Sequence, residues 1–261
     1  METSMMESSM DVIAPAHQIV RVRHEVRWRT LTVTSREMLG PRMLRLGFTS
    51  PELHDFVSAS YDDHVKLLFP AADGGEPAKR DFTPRRFDRA SNTLIIDFAL
   101  HEAGPATAWA AAAAIGDTLQ IGGPRGSSVV PDDFDWYLLI GDDTALPAIG
   151  RRIEELRAGV PVASFVVTEP GSAQSIETKA NWTPHWIARQ NAFGDAELLH
   201  AALTHFKFPA GDGFIWIAAE AAVARHLRSY VTDMRGHPRQ WTKAAGYWKR
   251  GVADAHEKIE D

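Results

Sequence analysis

The spacing of apolar residues changes once along this chain, near residue 132, and that change limits the folds open to it. Between Val20 and about Asp133, short β-rich runs (Arg27 to Ser35, Met43 to Phe48, His64 to Phe69, Thr93 to Leu100) are separated by Gly, Pro and Asp. Branched and aromatic residues bounded by turn formers are what antiparallel strands require, so this half is expected to form a small barrel or sandwich. One helix interrupts it, from Pro105 to about Ile115, with Pro at its first position and Gly116 placed to end it. Beyond Pro131 the apolar runs become continuous. Trp136 to Ile140 is apolar throughout, the turn Gly141 to Pro147 follows, and Ala148 to Arg157 is amphipathic. A second buried strand, Pro161 to Thr168, and a third, Gly213 to Ala218 followed by a helix from Glu220 to Met234, complete the pattern of a parallel α/β domain. The expected division is a leader over 1–16, a β domain over 17–133 and an α/β domain over 134–261, with the boundary between 132 and 136.

A length of 261 residues exceeds the usual span of one core, which agrees with two domains. The formal charge of -6 argues against a general binder of nucleic acid or anionic membrane, while leaving room for a local basic patch. The chain has no cysteine, which excludes disulfides, thiolate metal sites and cysteine nucleophiles and is compatible with a reducing cytoplasm. Met1 to Ala16, rich in Met, Ser and Glu, lacks the cationic start and apolar run of a signal peptide and reads as a disordered leader. The longest apolar runs are too short to cross a bilayer, so a soluble protein without membrane insertion is expected.

Chemistry concentrates in two stretches of the β half. Arg80 suits a phosphate, Phe82 offers a π face to a flat ring, and Thr83 offers a hydroxyl to a ring edge, a set that matches a flavin nucleotide. In a regular strand Arg80 and Phe82 point to one side and Thr83 to the other, so the three meet one ligand only at a strand end or bulge. On these residues alone, an edge strand with an exposed Arg and a core Phe is the favoured reading. The second stretch, His101 to Trp109, opens a helix at Gly104-Pro105-Ala106 whose first N–H groups are free, and small Ala106 and Ala108 leave room for a pyrophosphate. Gly122 to Ser127 adds a Gly-rich turn with the guanidinium of Arg125 and a hydroxyl, and the three features together favour a dinucleotide cradle over a plain barrel.

Other chemistries fail on spacing. There is no Gly-x-Gly-x-x-Gly fingerprint, no Gly-x-Ser-x-Gly elbow, and Pro105 stands where a zinc protease reading of His101-Glu102 needs a second His. His64, His185, His200, His205, His226, His237 and His256 show no metal-ligand spacing, so no metal site is expected. The pair Asp142-Asp143 has the look of a two-metal turn, but nothing else supports one, and it reads as a solvated helix N-terminus.

Taken in order, Arg80 to Asp88, Asp97 to His101, Gly104 to Ala110, Gly123 to Ser127, Gly141 to Ile149 and Gly246 to Gly251 resemble the siderophore-interacting flavoproteins, ferric-siderophore reductases related to ferredoxin-NADP reductase. The resemblance runs from about Val20 to Gly251. It implies an N-terminal antiparallel Greek-key β-barrel that binds FAD and a C-terminal parallel α/β domain that binds NADPH or NADH. By the same resemblance Arg80 lies near the FAD phosphates, Phe82 against the isoalloxazine and Thr83 at its reactive edge, and His101, Gly104, Pro105, Ala106 and Trp109 line the phosphate and adenine side. Asp81, Asp97, Phe98, Gly126 and Ser127 complete the cofactor set. Phe82 stands where many relatives carry Tyr, which keeps stacking and removes a phenolic hydrogen bond. The loop bearing Thr144 falls to the nicotinamide side, and Tyr247 or Trp248 covers the flavin. Thr83, Thr144 and Trp248 are the expected catalytic residues, positioning the flavin and limiting solvent access.

The same resemblance makes the substrate a ferric siderophore. Anionic catecholate complexes suit a cluster of Lys66, Arg125, Lys249 and Arg250 at the mouth of the site. Lys179, Arg189 and Arg225 are alike as candidates for the cation that selects NADPH. Two further functions remain compatible with the sequence: a siderophore-binding or iron-chaperone protein, and a ferredoxin-coupled or general flavin reductase.

Overall fold

The computed structural model describes residues 17–71, 74–100, 104–190, 192–252 and 257–259, so the expected leader and His101 lie outside it. The first half contains β1 (Val20–Arg23), β2 (Trp28–Gly40), β3 (Met43–Thr49), β4 (Val65–Phe69), β5 (Ala78–Phe82), β6 (Arg86–Asp88), β7 (Thr93–Ala99), α1 (Pro105–Ala112), β8 (Thr118–Gly122) and β9 (Gly126–Val129). Seven of these strands form a curled antiparallel sheet in the order β5-β4-β8-β2-β3-β7-β6, while β1 pairs with β9 alone. Alternation sets its two faces. In β4, Val65, Leu67 and Phe69 are buried while Lys66 and Leu68 point outward. The inward residues close on Leu31, Leu44, Phe48, Ile96, Phe98 and Ile121, and Ala106 and Trp109 of α1 pack against that core.

The second half contains β10 (Trp136–Gly141), α2 (Leu146–Glu155), β11 (Pro161–Thr168), β12 (Asn181–Ala188), α3 (Asp195–Thr204), β13 (Gly213–Glu220), α4 (Ala221–Ser229), β14 (Thr242–Trp248) and β15 (Glu257–Lys258). Its sheet runs β12-β11-β10-β13-β14-β15 and is parallel except for β15. β10 lies between two neighbours and is buried over its whole length, which is why its sequence is apolar without alternation.

Some boundaries differ from the sequence expectation. α1 stops at Ala112 because Ala113 turns extended, and the Gly116 amide then bonds the Val33 carbonyl on the way into β8. Within Ala110 to Ala114 only Ala110 and Ala113 are buried, so close packing accounts for two of these five alanines. α4 passes into a single π-helical turn, Tyr230–Met234.

The two halves are held together by α2. Arg151 is buried and donates to the Ser58 hydroxyl and to the Ser58 and Pro84 carbonyls, while Arg85 makes a two-pronged pair with Glu154 at 2.7 and 2.6 Å. Met43 and Tyr61 of the β domain share a core with Ile149, Phe214 and Trp216 of the α/β domain. A buried ion pair, Asp62 to Lys243 at 2.6 Å, also crosses the junction, and the Trp216 indole N–H donates to the same carboxylate.

Candidate active site

β5 is an edge strand and ends at Phe82, so Thr83 is released from strand alternation. Arg80 and Phe82 face inward, opposite Leu67 and Val65 of β4, and Asp81 faces outward opposite Lys66. The Phe82 ring lies 4.6 Å from Phe98 and 6.0 Å from Phe69, and Trp109 of α1 touches the same two rings at 6.3 and 5.8 Å. Around this aromatic group the guanidinium of Arg80 bonds the Lys79 carbonyl and has no carboxylate partner among the described residues. α1 begins beside it at Gly104-Pro105 with no side-chain cap, and a Cβ placed on Gly104 would meet nothing within 4 Å. An uncapped helix start near the two half-buried rings Phe82 and Trp109, with Arg80 on the same strand as Phe82, offers the kinds of contact a flavin nucleotide needs.

The second part of the site lies at the carboxyl edge of the parallel sheet, where α/β domains bind ligands. A cleft of about 320 Å³ is lined there by Asp142, Asp143 and Thr144 after β10, Glu169 after β11, Arg189 and Gln190 after β12, Phe193 to Asp195 ahead of α3, Trp248 and Arg250 after β14, and Arg42 from the β2–β3 hairpin. Asp142 is buried, not solvated as the sequence reading has it. Its carboxylate accepts the Trp248 indole N–H at 2.9 Å, the Thr144 amide and hydroxyl at 2.9 and 2.5 Å, and the Glu220 amide at 3.2 Å. Burial pushes the Asp142 carboxyl up, and the Thr144 and Trp248 hydrogen bonds pull against that shift. Asp143 is also buried, accepting the Thr168 hydroxyl and pairing with Arg189 at 2.8 Å. Arg189 further pairs with Glu169 at 3.1 Å and Asp195 at 3.0 Å, so three carboxylates hold it across the cleft floor.

Tyr247 joins the two parts. Its phenol lies beside the Thr83 side chain, its ring meets Trp216 edge-on at 5.9 Å, and burial pushes the phenol well above the usual range. Thr83 at the end of the flavin-type surface and Trp248 in the cleft are therefore linked through one residue.

A model of the siderophore-interacting protein family matches residues 134–251, and a model of the siderophore-interacting FAD-binding domain matches 32–78 and 73–128. The chain belongs to the siderophore-interacting protein family. It is 33% identical to the NADPH-dependent ferric-chelate reductase of Escherichia coli (strain K12) over 251 residues, 87% of this chain and 95% of that one. A siderophore utilization protein from T. fusca superposes with a TM-score of 0.85 at 32% identity, covering 91% of this chain and 98% of that chain. The siderophore-interacting protein SipS of Aeromonas hydrophila gives 0.74 at 27%, covering 87% and 93%.

The sequence-expected residues of this siderophore-interacting protein fall into separate groups. Phe82 and Trp109 are half-buried against a core that includes Phe98, which is itself buried and offers no open face, with Arg80 on the inner side of the Phe82 strand and Gly104, Pro105 and Ala106 at the start of the helix that carries Trp109. Asp97 is buried beneath a two-pronged contact from Arg45 at 2.7 and 2.8 Å, which commits its carboxylate to the sheet. Ser127 on β9 is likewise committed, bonded to Asp63 at 2.6 Å, His24 at 2.7 Å and the Ala59 amide, and Gly126 pairs with Arg23 in the same two-stranded ribbon. The four expected substrate cations do not share one set of neighbours. Lys66 pairs with Asp81 at 3.0 Å, Arg125 is exposed after β8, Lys249 is exposed after β14, and Arg250 lines the α/β cleft.

Among the candidates for nucleotide selection, Arg225 is paired with Glu257, and Lys179 lies where β12 begins, at the sheet edge opposite the cleft. Arg42, Glu169 and Phe193 were not legible as cleft residues, since each comes from a separate loop. His200 and His226, scattered in sequence, meet at 3.0 Å, and no cluster of metal-binding side chains occurs among the described residues.

Proposed function

We propose that this protein is a ferric-siderophore reductase in which NADPH reduces FAD and the electrons pass singly to Fe(III) held by an anionic siderophore. The observation that carries this reading is the approach of Thr83, next to Phe82 on the FAD-binding half, to Tyr247, next to Trp248 of the α/β cleft. FAD bound on that surface supplies the change from a two-electron donor to a one-electron acceptor, chemistry that side chains lack. With FAD bound, Arg80 and the open start of α1 would hold the phosphates, Phe82 would support the ring, and Thr83 and Tyr247 would fix its edge. Trp248, anchored by Asp142, would limit the access of water to the reacting ring. Arg42 and Arg250 receive the extra phosphate of NADPH. Arg189 is neutralised by its three carboxylates, whereas the guanidinium of Arg250 pairs with no carboxylate among the described residues, only its amide reaching Glu220 at 3.4 Å, and Arg42 stands 3.8 Å from Glu169.

Siderophore oxygens are hard and anionic, so they hold Fe(III) better than Fe(II), and reduction loosens the complex. Lys66 and Arg125 attract such a complex, with catecholates, the more highly charged class, preferred. The reaction is placed in the cytoplasm, where the nucleotide is regenerated and iron is used. The test is spectroscopic. The purified protein loaded with FAD is yellow, bleaches under anaerobic NADPH and regains its colour when a ferric siderophore is added. A folded preparation that takes up no FAD, or whose bleached form is unaffected by any ferric siderophore, overturns the proposal.

A further inference from the structure

Trp28, at the first position of β2, leaves 54% of its surface open, although tryptophan is a residue that folds usually bury. Its neighbours account for this. Trp28 lies directly opposite Gly122 of β8, Gly122 lies opposite Lys66 of β4, and Lys66 lies opposite Asp81 of β5. Residues opposed across antiparallel strands share a face, so these four make a row on the outer side of the sheet, away from Leu31, Ile121 and Leu67. Gly122 leaves a gap in the row that the indole fills. A Cβ built on Gly122 would stand 2.7 Å from the Trp28 ring, so the ring lies over the glycine, on the Lys66 side of its own strand.

Charge converges on the same place. The Gly123 amide bonds the Arg27 carbonyl, so the turn that carries Arg125 leaves the sheet next to Trp28. Arg125 is exposed and has no carboxylate partner among the described residues, in a chain whose formal charge is -6. The indole face is bordered by Arg125 and by Lys66, which is paired with Asp81 at 3.0 Å, and a ring beside an exposed guanidinium complements a ligand that is both aromatic and anionic. The row ends at Asp81, the residue before Phe82 on β5, whose ring points to the opposite, inner face of the same strand.

We propose that Trp28 is a substrate-binding residue whose indole face receives an aromatic ring of the ferric chelate, with the chelate's anionic oxygens directed to Arg125 and Lys66. This rests on the ferric-siderophore reading above and adds a basis for choice within it. Catecholate and phenolate complexes gain a stacking contact that hydroxamate complexes, which lack rings, do not.

The test compares FAD-loaded wild type, Trp28→Leu and Gly122→Ala, the last of which displaces the indole without deleting it. The ferric complexes of 2,3-dihydroxybenzoate and desferrioxamine are the substrates. The gallium(III) 2,3-dihydroxybenzoate complex, which is not reduced, reports binding by tryptophan quenching. In both variants KM for the catecholate rises on the order of tenfold, with kcat, the hydroxamate KM and FAD content unchanged. Gallium complex binding weakens by the same factor. An unchanged catecholate KM, or an equal rise for both chelates, overturns the role of Trp28. Reduction of neither chelate by wild type overturns the ferric-siderophore reading instead, and unaltered gallium complex binding in Trp28→Leu then rejects the Trp28 contact as well.

Discussion

The carboxylate of Asp142 collects four donors from three segments, and it illustrates how much of this site rests on single side chains. Asp142→Ala leaves the Trp248 indole and two amides without an acceptor, and urea unfolding should show a loss of about 2 kcal/mol. Trp248→Phe keeps the ring and removes one donor, so it should cost about 1 kcal/mol and raise KM for the nucleotide. Arg250→Ala and Arg42→Ala should each raise KM for NADPH roughly tenfold, the equivalent of about 1.4 kcal/mol, with a smaller effect on NADH. Equal effects on the two nucleotides in steady-state kinetics would remove both residues from the phosphate site.

His17 carries a pH prediction. Its ring stacks on Phe134 at 4.1 Å and bonds Asp133 at 2.8 Å and Asp212 at 3.3 Å. Burial lowers its pKa, but the two carboxylates outweigh that, and the folded value is raised above 6.5. A raised histidine stabilises fully below its unfolded value, and the contribution fades as pH climbs through the folded value. Proton NMR of His17 should therefore give a titration above 6.5, and the stability difference between wild type and His17→Gln should shrink on the alkaline side. At this scale the sequence exposed residue types but not their state. Asp142 and Asp143 read as a solvated pair because desolvation is decided by what β13 and β14 bring beside Asp142 and what β11 and Arg189 bring beside Asp143.

Among the elements, α1 gives the cleanest test, because its start stabilises itself and its ligand by opposite charges. Ala108→Glu puts a carboxylate at an exposed position in the first turn of an uncapped helix. The isolated protein should gain a few tenths of a kcal/mol from the helix dipole, while FAD affinity, read by fluorescence titration, should fall on the order of tenfold. A parallel loss of stability and affinity would mean that the variant simply fails to pack. The beginning of α1 was legible from Gly104-Pro105, whereas its end was not. Alanine favours continuing, and the tertiary demand to turn into β8 prevails. β12 escaped sequence reading for a related reason. It contains Pro184 and alternates poorly, which a strand tolerates when it pairs on one side only, here with β11.

Over the whole molecule, the junction between the halves combines an apolar core with charges paired across it, Arg85 with Glu154 and Asp62 with Lys243. Lys243→Met strands the buried Asp62 carboxylate and should cost about 3–5 kcal/mol in thermal or urea unfolding. Adding Asp62→Asn should recover much of that loss, since an unpaired charge is then no longer buried. Failure of the second change to compensate would place the cost in packing against Trp216 and not in charge.

The sequence by itself determined the two regular patterns, alternating strands before residue 132 and continuous apolar strands after it, because each period is a local property of a strand exposed on one face or on none. It also determined the motif residues of β5 and α1. Only the tertiary structure decided that Thr83 meets Tyr247, that Arg42 and Arg250 share a cleft, that Trp28 lies over Gly122, and that Asp97 and Ser127 are bound into the frame. Those outcomes depend on strand register and on packing between distant segments. Register and packing set which polar groups lose water and which charges find partners.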